Sequence, residues 1–388
     1  MKTRPRLLFL ITEDWYFWSH RLDVARAARD AGFDVMIATR VTDHGERIER
    51  EGFRLCPISL VRQSRNPFVE LAAVLELVSL YRRERPAIVH HVALKPILYG
   101  SLAAWISGVP VVVNAFAGLG YAFTDETRRK AMAHTFLCRA LSTLLRLSKS
   151  VVIFQNKDDR ELLLEEGVVE IQQTRIIPGS GVDTKRFDVS PSAEERPIVM
   201  LASRMLWDKG IGEFVEASRR LKQNGLSARY VLVGRCDEHN PAAIEPAQLR
   251  RWVGDGLVEW WEHRDDMPQT LASATIVVLP SYREGLPKVL LEAAACGKPL
   301  IATDVPGCRE VVTQGVNGLL VPARDPVALA TAIDSLLRDA SLRAAMGMAG
   351  REVVLRAFSV EKIAGQVVDL YRALLGMRKY GQQSAGSA

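Results

Sequence analysis

Cysteine is scarce in this chain: five residues in 388, with no pair at C-x-x-C spacing. Cys56, Cys138, Cys236, Cys296 and Cys308 are odd in number and scattered, which argues against a disulfide frame or a zinc site and for a reducing compartment. Long apolar runs are lacking too, since no stretch reaches the roughly 18–20 residues of a membrane-spanning helix. Near the start, Glu13 and Asp14 interrupt the run RLLFLIT, which therefore reads as a first strand and not as a secretory leader. G-x-G-x-x-G, Walker A, G-x-S-x-G, H-E-x-x-H and D-x-D are all absent. A dinucleotide fingerprint, P-loop chemistry, a nucleophile elbow, a zincin site and a metal-chelated nucleotide are thereby unsupported.

An acidic excess is missing as well. The net charge is +6, and it is unevenly placed: residues 51–150 hold 13 Lys and Arg against 6 Asp and Glu, while the remainder holds 38 against 39. A localised basic excess suggests an anionic partner, whether phosphate, nucleic acid or lipid headgroup. No nucleic-acid motif accompanies it, so nucleic acid is not expected.

What is present is length and alternation. At 388 residues and 48% hydrophobic, the chain suits two domains of about 100–200 residues each. Apolar strands at 6–12, 33–38, 53–60, 88–91, 109–114, 151–155 and 175–178 alternate with helices at 21–31, 68–83, 96–105 and 128–147. The aromatic stretch 15–20, WYFWSH, reads as a loop after the first strand. From 197 the pattern restarts, with strands at 197–202, 229–234, 257–261, 274–279, 299–303 and 318–321. Helices are expected there at 212–222, 267–274, 289–295 and 308–313, and a last one at 359–375. This predicts an α/β protein of two Rossmann-like, doubly wound domains facing a cleft, a favoured place for a ligand. The domains are expected at 1–180 and 197–356, joined by a linker at 181–196 rich in Gly, Ser, Pro and charge, with a disordered polar tail at 377–388.

The stretch 281–292, SYREGLPKVLLE, carries two carboxylates, Glu284 and Glu292, with seven residues between them. It follows the strand ATIVVL and opens a helix closed by Gly297. Glu284 thus falls on a loop at the carboxyl end of a strand, where open α/β sheets bind ligands. Glu292 falls about one and a half turns into the helix, so one ligand of nucleotide-sugar length can touch both. The plainer reading is a turn residue and a solvated helix face. Arg204 and Lys209 lie after the first strand of the second half, just before a helix start. A guanidinium fork, an ammonium and helix N–H groups suit a diphosphate, although an Arg and a Lys five apart are also ordinary surface charges. Gly234 ends a strand where backbone can approach a ligand, or simply turns the chain.

Glu284-x7-Glu292 with the following AAACGKPLIATDVPG, together with the R-x4-K of Arg204 and Lys209, resembles the family 4 retaining glycosyltransferases of the GT-B fold. The resemblance spans nearly the whole chain. It implies that Glu284 contacts the donor sugar, Glu292 the ribose hydroxyls, and Arg204 and Lys209 the donor pyrophosphate. Arg264 falls where the family holds the base, and Ser281, Tyr282, Gly285 and Leu286 line the sugar pocket. It further implies a UDP-sugar donor, no cofactor and no metal, retention of anomeric configuration, and a last helix at about 357–376 returning to the first domain. Arg204, Lys209 and Glu284 are the catalytic candidates.

In the first half, WYFWSHR, RQSRNPF, HHVALKPILYG and NAFAGLGYAF resemble the bacterial subgroup that extends polyprenyl-diphosphate-linked sugars; one member type adds N-acetylgalactosamine in an α-1,3 link. The acceptor-side candidates are His20, Arg62, Arg65, Lys95, Gly118 and Gly120. Many members place a histidine after the strand that here runs into NAFAG, and this chain has none there, so that role is not carried over. His90 and His91 read as buried core histidines, and Lys95 as better placed for an anion. The expected partners are a UDP-sugar, a polyprenyl-diphosphate-linked saccharide and the cytoplasmic membrane surface, met from the cytoplasmic side. The alternatives are a transferase with a small-molecule or polysaccharide acceptor, and a non-catalytic nucleotide-sugar-binding protein.

Overall fold

The computed structural model describes residues 4–61, 64, 66–119, 128–188, 196–237 and 240–376. Arg62, Arg65, Gly120 and the 377–388 tail lie outside the described residues. The chain forms two compact units, one running to Ser180 and resuming at Val360, the other Gly181–Ser359.

The first unit opens with β1 (Arg6–Glu13), α1 (Asp14–His20), α2 (Leu22–Asp30), β2 (Asp34–Arg40), α3 (Gly45–Arg50) and β3 (Arg54–Pro57). It continues with α4 (Pro67–Glu84), β4 (Ile88–Val92), α5 (Leu94–Ser107), β5 (Val111–Ala115) and α6 (Arg128–Leu147). β6 (Val151–Phe154), α7 (Lys157–Glu165) and β7 (Thr174–Ile176) follow. The strands make one parallel sheet in the order β3-β2-β1-β4-β5-β6-β7. β1 is apolar and buried on both faces, and its alternation splits the core in two. Leu7, Phe9 and Ile11 pack with α2, whereas Leu8 and Leu10 pack with α4.

The second unit comprises β8 (Ile198–Ala202), α8 (Ile211–Gln223), β9 (Arg229–Val233), α9 (Pro246–Gly254) and β10 (Glu259–Trp260). Then come α10 (Met267–Ser273), β11 (Ile276–Leu279), α11 (Lys288–Ala295), β12 (Leu300–Thr303), α12 (Cys308–Val311) and β13 (Gly318–Val321). α13 (Pro326–Arg338) and α14 (Ala340–Ala357) complete it. Its parallel sheet has the order β10-β9-β8-β11-β12-β13. Val199 and Leu201 face α8 and α13, while Ile198, Met200 and Ala202 face α11. The last helix, α15 (Val360–Leu374), belongs to the first unit, where Ile363, Val367 and Tyr371 join the core beside α2.

Three expectations change. The 15–20 stretch is helical, because the buried Asp14 carboxylate accepts the Trp15 N–H at 2.8 Å in the first turn and Phe17 is fully buried. Burial alone would raise the Asp14 carboxyl, but hydrogen bonds from Thr42, His44 and Trp15 outweigh it and hold it low. Residues 181–188 are not linker but part of the second unit: Val182 and Phe187 lie in its core, and Asp188 pairs with Arg351 at 2.9 Å. α3 and α7 escape an apolar-periodicity reading because each is mostly polar around its circumference; α7 is started by Asn156, whose side chain accepts the Asp159 N–H at 2.7 Å.

Candidate functional site

Strand order in the second sheet reverses between β8 and β11, and this is where the loops carrying Arg204, Lys209 and Glu284 emerge. Such a switch point leaves a crevice at the carboxyl ends of the strands. The two loops are fastened together: the Tyr282 N–H donates to the Asp208 carbonyl at 2.9 Å, and Lys209 Nζ donates to Glu284 Oε1 at 2.6 Å. Both side chains are mostly buried, at 18% and 13% exposure, so the pair is shielded from bulk water. Arg204 is more open and pairs with Asp237 in the loop after β9, at 2.7 Å.

Glycine lets four strand-end loops meet here. At Gly234, φ is 147° and a Cβ would fall 1.8 Å from the Ser203 carbonyl oxygen; at Gly307, φ is 79° and a Cβ would fall 2.5 Å from the Gly285 carbonyl oxygen. Neither position admits a larger residue without moving backbone. Ser281 is fully buried, its carbonyl accepts from Thr303 Oγ1, and its own hydroxyl has no hydrogen-bond partner among the described residues.

Glu292 lies on α11 with Lys288 Nζ 3.4 Å away. Burial lifts its carboxyl above the ordinary range, against the opposing pull of Lys288 and of Arg186 from the 181–188 segment. Leu286 packs on the core beside α11, and Gly285 is half-buried under Gly307. Tyr282 is directed elsewhere: its hydroxyl donates to Glu213 of α8 at 2.7 Å, and Arg324 lies 4.6 Å from its ring centre. Burial and the Glu213 carboxylate push the phenol up to about 12. Arg264 is exposed and stacks over Trp261 at 5.6 Å.

In the first unit the sheet reverses between β1 and β4, and His20 and Lys95 follow those strands. His20 ends α1, stacked on Tyr16 with ring centres 4.3 Å apart and Nδ1 2.7 Å from Ser19 Oγ. Lys95 is not the open cation expected. An ammonium has three donors, and these meet Val61 O at 2.6 Å, Ser64 O at 3.1 Å and Glu70 Oε1 at 2.8 Å. Lys95 therefore ties Val61, Ser64 and Glu70 to the start of α5. Gly118 follows β5 with φ 99°. His90 and His91 are core residues, bound to the Tyr371 hydroxyl and to Asn114 and Tyr81 respectively.

Sequence reasoning missed Asp237, Glu213 and Gly307. The Val-Pro-Gly turn after β12 was a signal for the last. The two carboxylates carried none, because their partners lie 33 and 69 residues away.

The chain is similar to known proteins over most of its length. Residues 196–339 match the family described as glycosyl transferases group 1, and residues 6–156 match glycosyl transferase 4-like. The chain is 28% identical over 351 residues to the Campylobacter jejuni N,N'-diacetylbacillosaminyl-diphospho-undecaprenol alpha-1,3-N-acetylgalactosaminyltransferase, covering 87% of this chain and 91% of that one. It is 25% identical over 315 residues to the Escherichia coli UDP-Gal:alpha-D-GlcNAc-diphosphoundecaprenol alpha-1,3-galactosyltransferase, covering 78% and 79%. The fold matches that of Anabaena HepE, solved with UDP and glucose, at a TM-score of 0.80 and 20% identity over 95% of this chain and 100% of that one. With a type 4-like domain in the first unit, a group 1 domain in the second and the GT-B fold across both, the chain belongs to the glycosyltransferases.

Proposed function

We propose that this glycosyltransferase moves an N-acetylhexosamine or hexose from a UDP-sugar to a polyprenyl-diphosphate-linked saccharide, with retention at the anomeric carbon and without a metal. The observation that carries the reading is the Lys209–Glu284 pair at the switch point, with Arg204 on the same loop as Lys209 and paired with Asp237. Two cations at one strand-end cluster suit a leaving diphosphate, and stabilising the charge that develops there is the dominant catalytic term. The acceptor hydroxyl attacks the anomeric carbon from the face that UDP leaves. The new glycosidic C–O bond forms as the sugar–phosphate C–O bond breaks, UDP takes the electron pair, and the hydroxyl proton passes to the departing phosphate oxygen. Glu284 and the unpartnered Ser281 hydroxyl orient the sugar, and Glu292 binds the ribose.

The acceptor side of the reading draws on the names of the Campylobacter and Escherichia relatives and on the surface of the first unit. α4 exposes Phe68, Leu71 and Leu75 along one stripe and α6 exposes Met132 and Phe136, in the segment that carries the basic excess. No helix among the described residues is long and apolar enough to cross a membrane. Apolar residues beside cations suit peripheral docking on an anionic leaflet on the cytoplasmic side.

The test is UDP release from a panel of UDP-sugars in EDTA, with and without a polyprenyl-diphosphate-linked sugar. Release that requires the lipid acceptor and survives EDTA is expected. Release only with a small or polysaccharide acceptor would replace the lipid reading, and none with any donor would leave a binding role.

A further inference from the structure

Three side chains of the first unit converge where α6 meets the end of α7. His134 and Cys138 are four residues apart and so share one face of α6, and Glu166 is the capping residue of α7. His134 Nε2 lies 3.6 Å from Cys138 Sγ and 3.4 Å from Glu166 Oε1, and one donor atom from each residue lies within 4.8 Å of the others.

These two contacts go to the same ring nitrogen. An imidazole nitrogen has a single in-plane direction for its hydrogen or its lone pair, so it cannot make good linear hydrogen bonds to a sulfur and a carboxylate at once. A cation placed on that direction serves all three groups. With bonds of about 2.0–2.1 Å to nitrogen, 2.3 Å to sulfur and 2.0–2.2 Å to oxygen, a tetrahedral zinc ion sets N···S and N···O edges of roughly 3.4–3.6 Å. Two edges of the trio already have these lengths.

We propose that His134, Cys138 and Glu166 bind a zinc-type transition-metal ion that pins α6 to the end of α7. One imidazole, one thiolate and one carboxylate form a borderline-soft set that favours zinc over magnesium or calcium and leaves a fourth position for solvent. The need is local. Met132 and Phe136 are exposed, and among the described side chains of α6 the buried ones are Cys138, Leu141 and Leu145. Packing therefore holds the later turns, where Ser142 Oγ also reaches the Gly167 carbonyl at 3.2 Å, and the metal would fix the turn before them. The site belongs to the first unit, whereas Arg204, Lys209, Glu284 and Glu292 belong to the second, so it is compatible with metal-free donor chemistry. The C-x-x-C rule misses it because two ligands come as His-x3-Cys and the third lies 28 residues on.

The test uses the full chain stripped with a chelator and titrated with cobalt(II) as a spectroscopic probe. One cobalt per chain is expected, with thiolate-to-cobalt charge-transfer bands and tetrahedral ligand-field bands, and zinc should displace it and raise Tm. Cys138→Ser should lose the charge-transfer bands, and His134→Ala and Glu166→Gln should each weaken cobalt binding at least tenfold. Circular dichroism checks that each variant folds, and should Cys138→Ser fail, the two more exposed positions still decide the matter. No cobalt uptake by the wild type at micromolar concentration would overturn the proposal, as would charge-transfer bands that persist in Cys138→Ser, which would assign the thiolate to Cys236 or Cys296. Sugar transfer is not a readout, so the outcome stands apart from the donor and acceptor assignments.

Discussion

Lys209 and Glu284 neutralise each other at 2.6 Å in a mostly buried setting, so each is the other's principal partner. Removing either alone leaves a shielded charge without its counterpart, which costs more than the pair contributes. Lys209→Ala and Arg204→Ala should each lower kcat by about 10²–10³ at saturating donor, the usual effect of losing one transition-state donor. UDP-release assays measure this, and near-normal turnover in both variants would remove the diphosphate role. His91 belongs to a different account. Burial drives its pKa down to about 4 from the ordinary 6.5, only partly offset by Asn114. The folded state thus stays unprotonated in a range where the unfolded chain binds a proton, so stability is full above pH 6.5 and falls as pH drops toward 4. The loss reaches about 3 kcal/mol at the lower end. His90, buried beside it, shifts the same way. Urea midpoints at pH 7.5 and pH 5 should therefore differ, and His91→Gln should flatten the difference.

At the scale of elements, the candidate donor site is an arrangement of four loops, those after β8, β9, β11 and β12, held at contact distance by glycine. Gly307→Ala would put a methyl against the Glu284 and Gly285 carbonyls at a backbone angle that L-residues avoid. We expect a loss of about 2 kcal/mol or more, seen as a Tm lowered by several degrees, with a raised KM for the donor because the Glu284 loop must move. The stripe on α4 is the corresponding element on the other unit. Exposed Phe68 and Leu71 contribute nothing to the core, so Phe68→Asp with Leu71→Asp should leave Tm nearly unchanged. The same double variant should lose most of its sedimentation with anionic vesicles, since each apolar side chain buried in lipid is worth about 1.5–3 kcal/mol. Unchanged sedimentation would assign membrane contact, if any, to another surface.

Across the whole molecule, the chain is threaded twice through the first unit. α15 returns after the second unit is complete and supplies Ile363, Ala364, Val367, Val368 and Tyr371 to the first core, with the Tyr371 hydroxyl on His90. Truncation before Val360 would expose that apolar face of α2 and leave His90 Nδ1 without its partner. The shortened protein should aggregate on size-exclusion chromatography, where a dispensable tail would leave a monodisperse peak.

The sequence by itself determined the class of fold and the elements that carry the candidate donor site, because these rest on local patterns. Apolar strand runs, a Gly or Pro at the helix ends and charged residues just past strand ends are each legible within about ten residues, and they put Arg204, Lys209, Glu284 and Glu292 on the elements where the structure has them. Only the tertiary structure decided the partners. Asp237 on Arg204, Glu213 on Tyr282, three carbonyl and carboxylate acceptors on Lys95, and Glu166 beside His134 and Cys138 all join residues far apart in the chain. A side chain's role is set by the groups that meet its polar atoms, and strand order brings those groups together. One-dimensional spacing carries periodicity and turn chemistry but not the order of strands in a sheet, so it places a charge on an element without saying whether that charge is already paired.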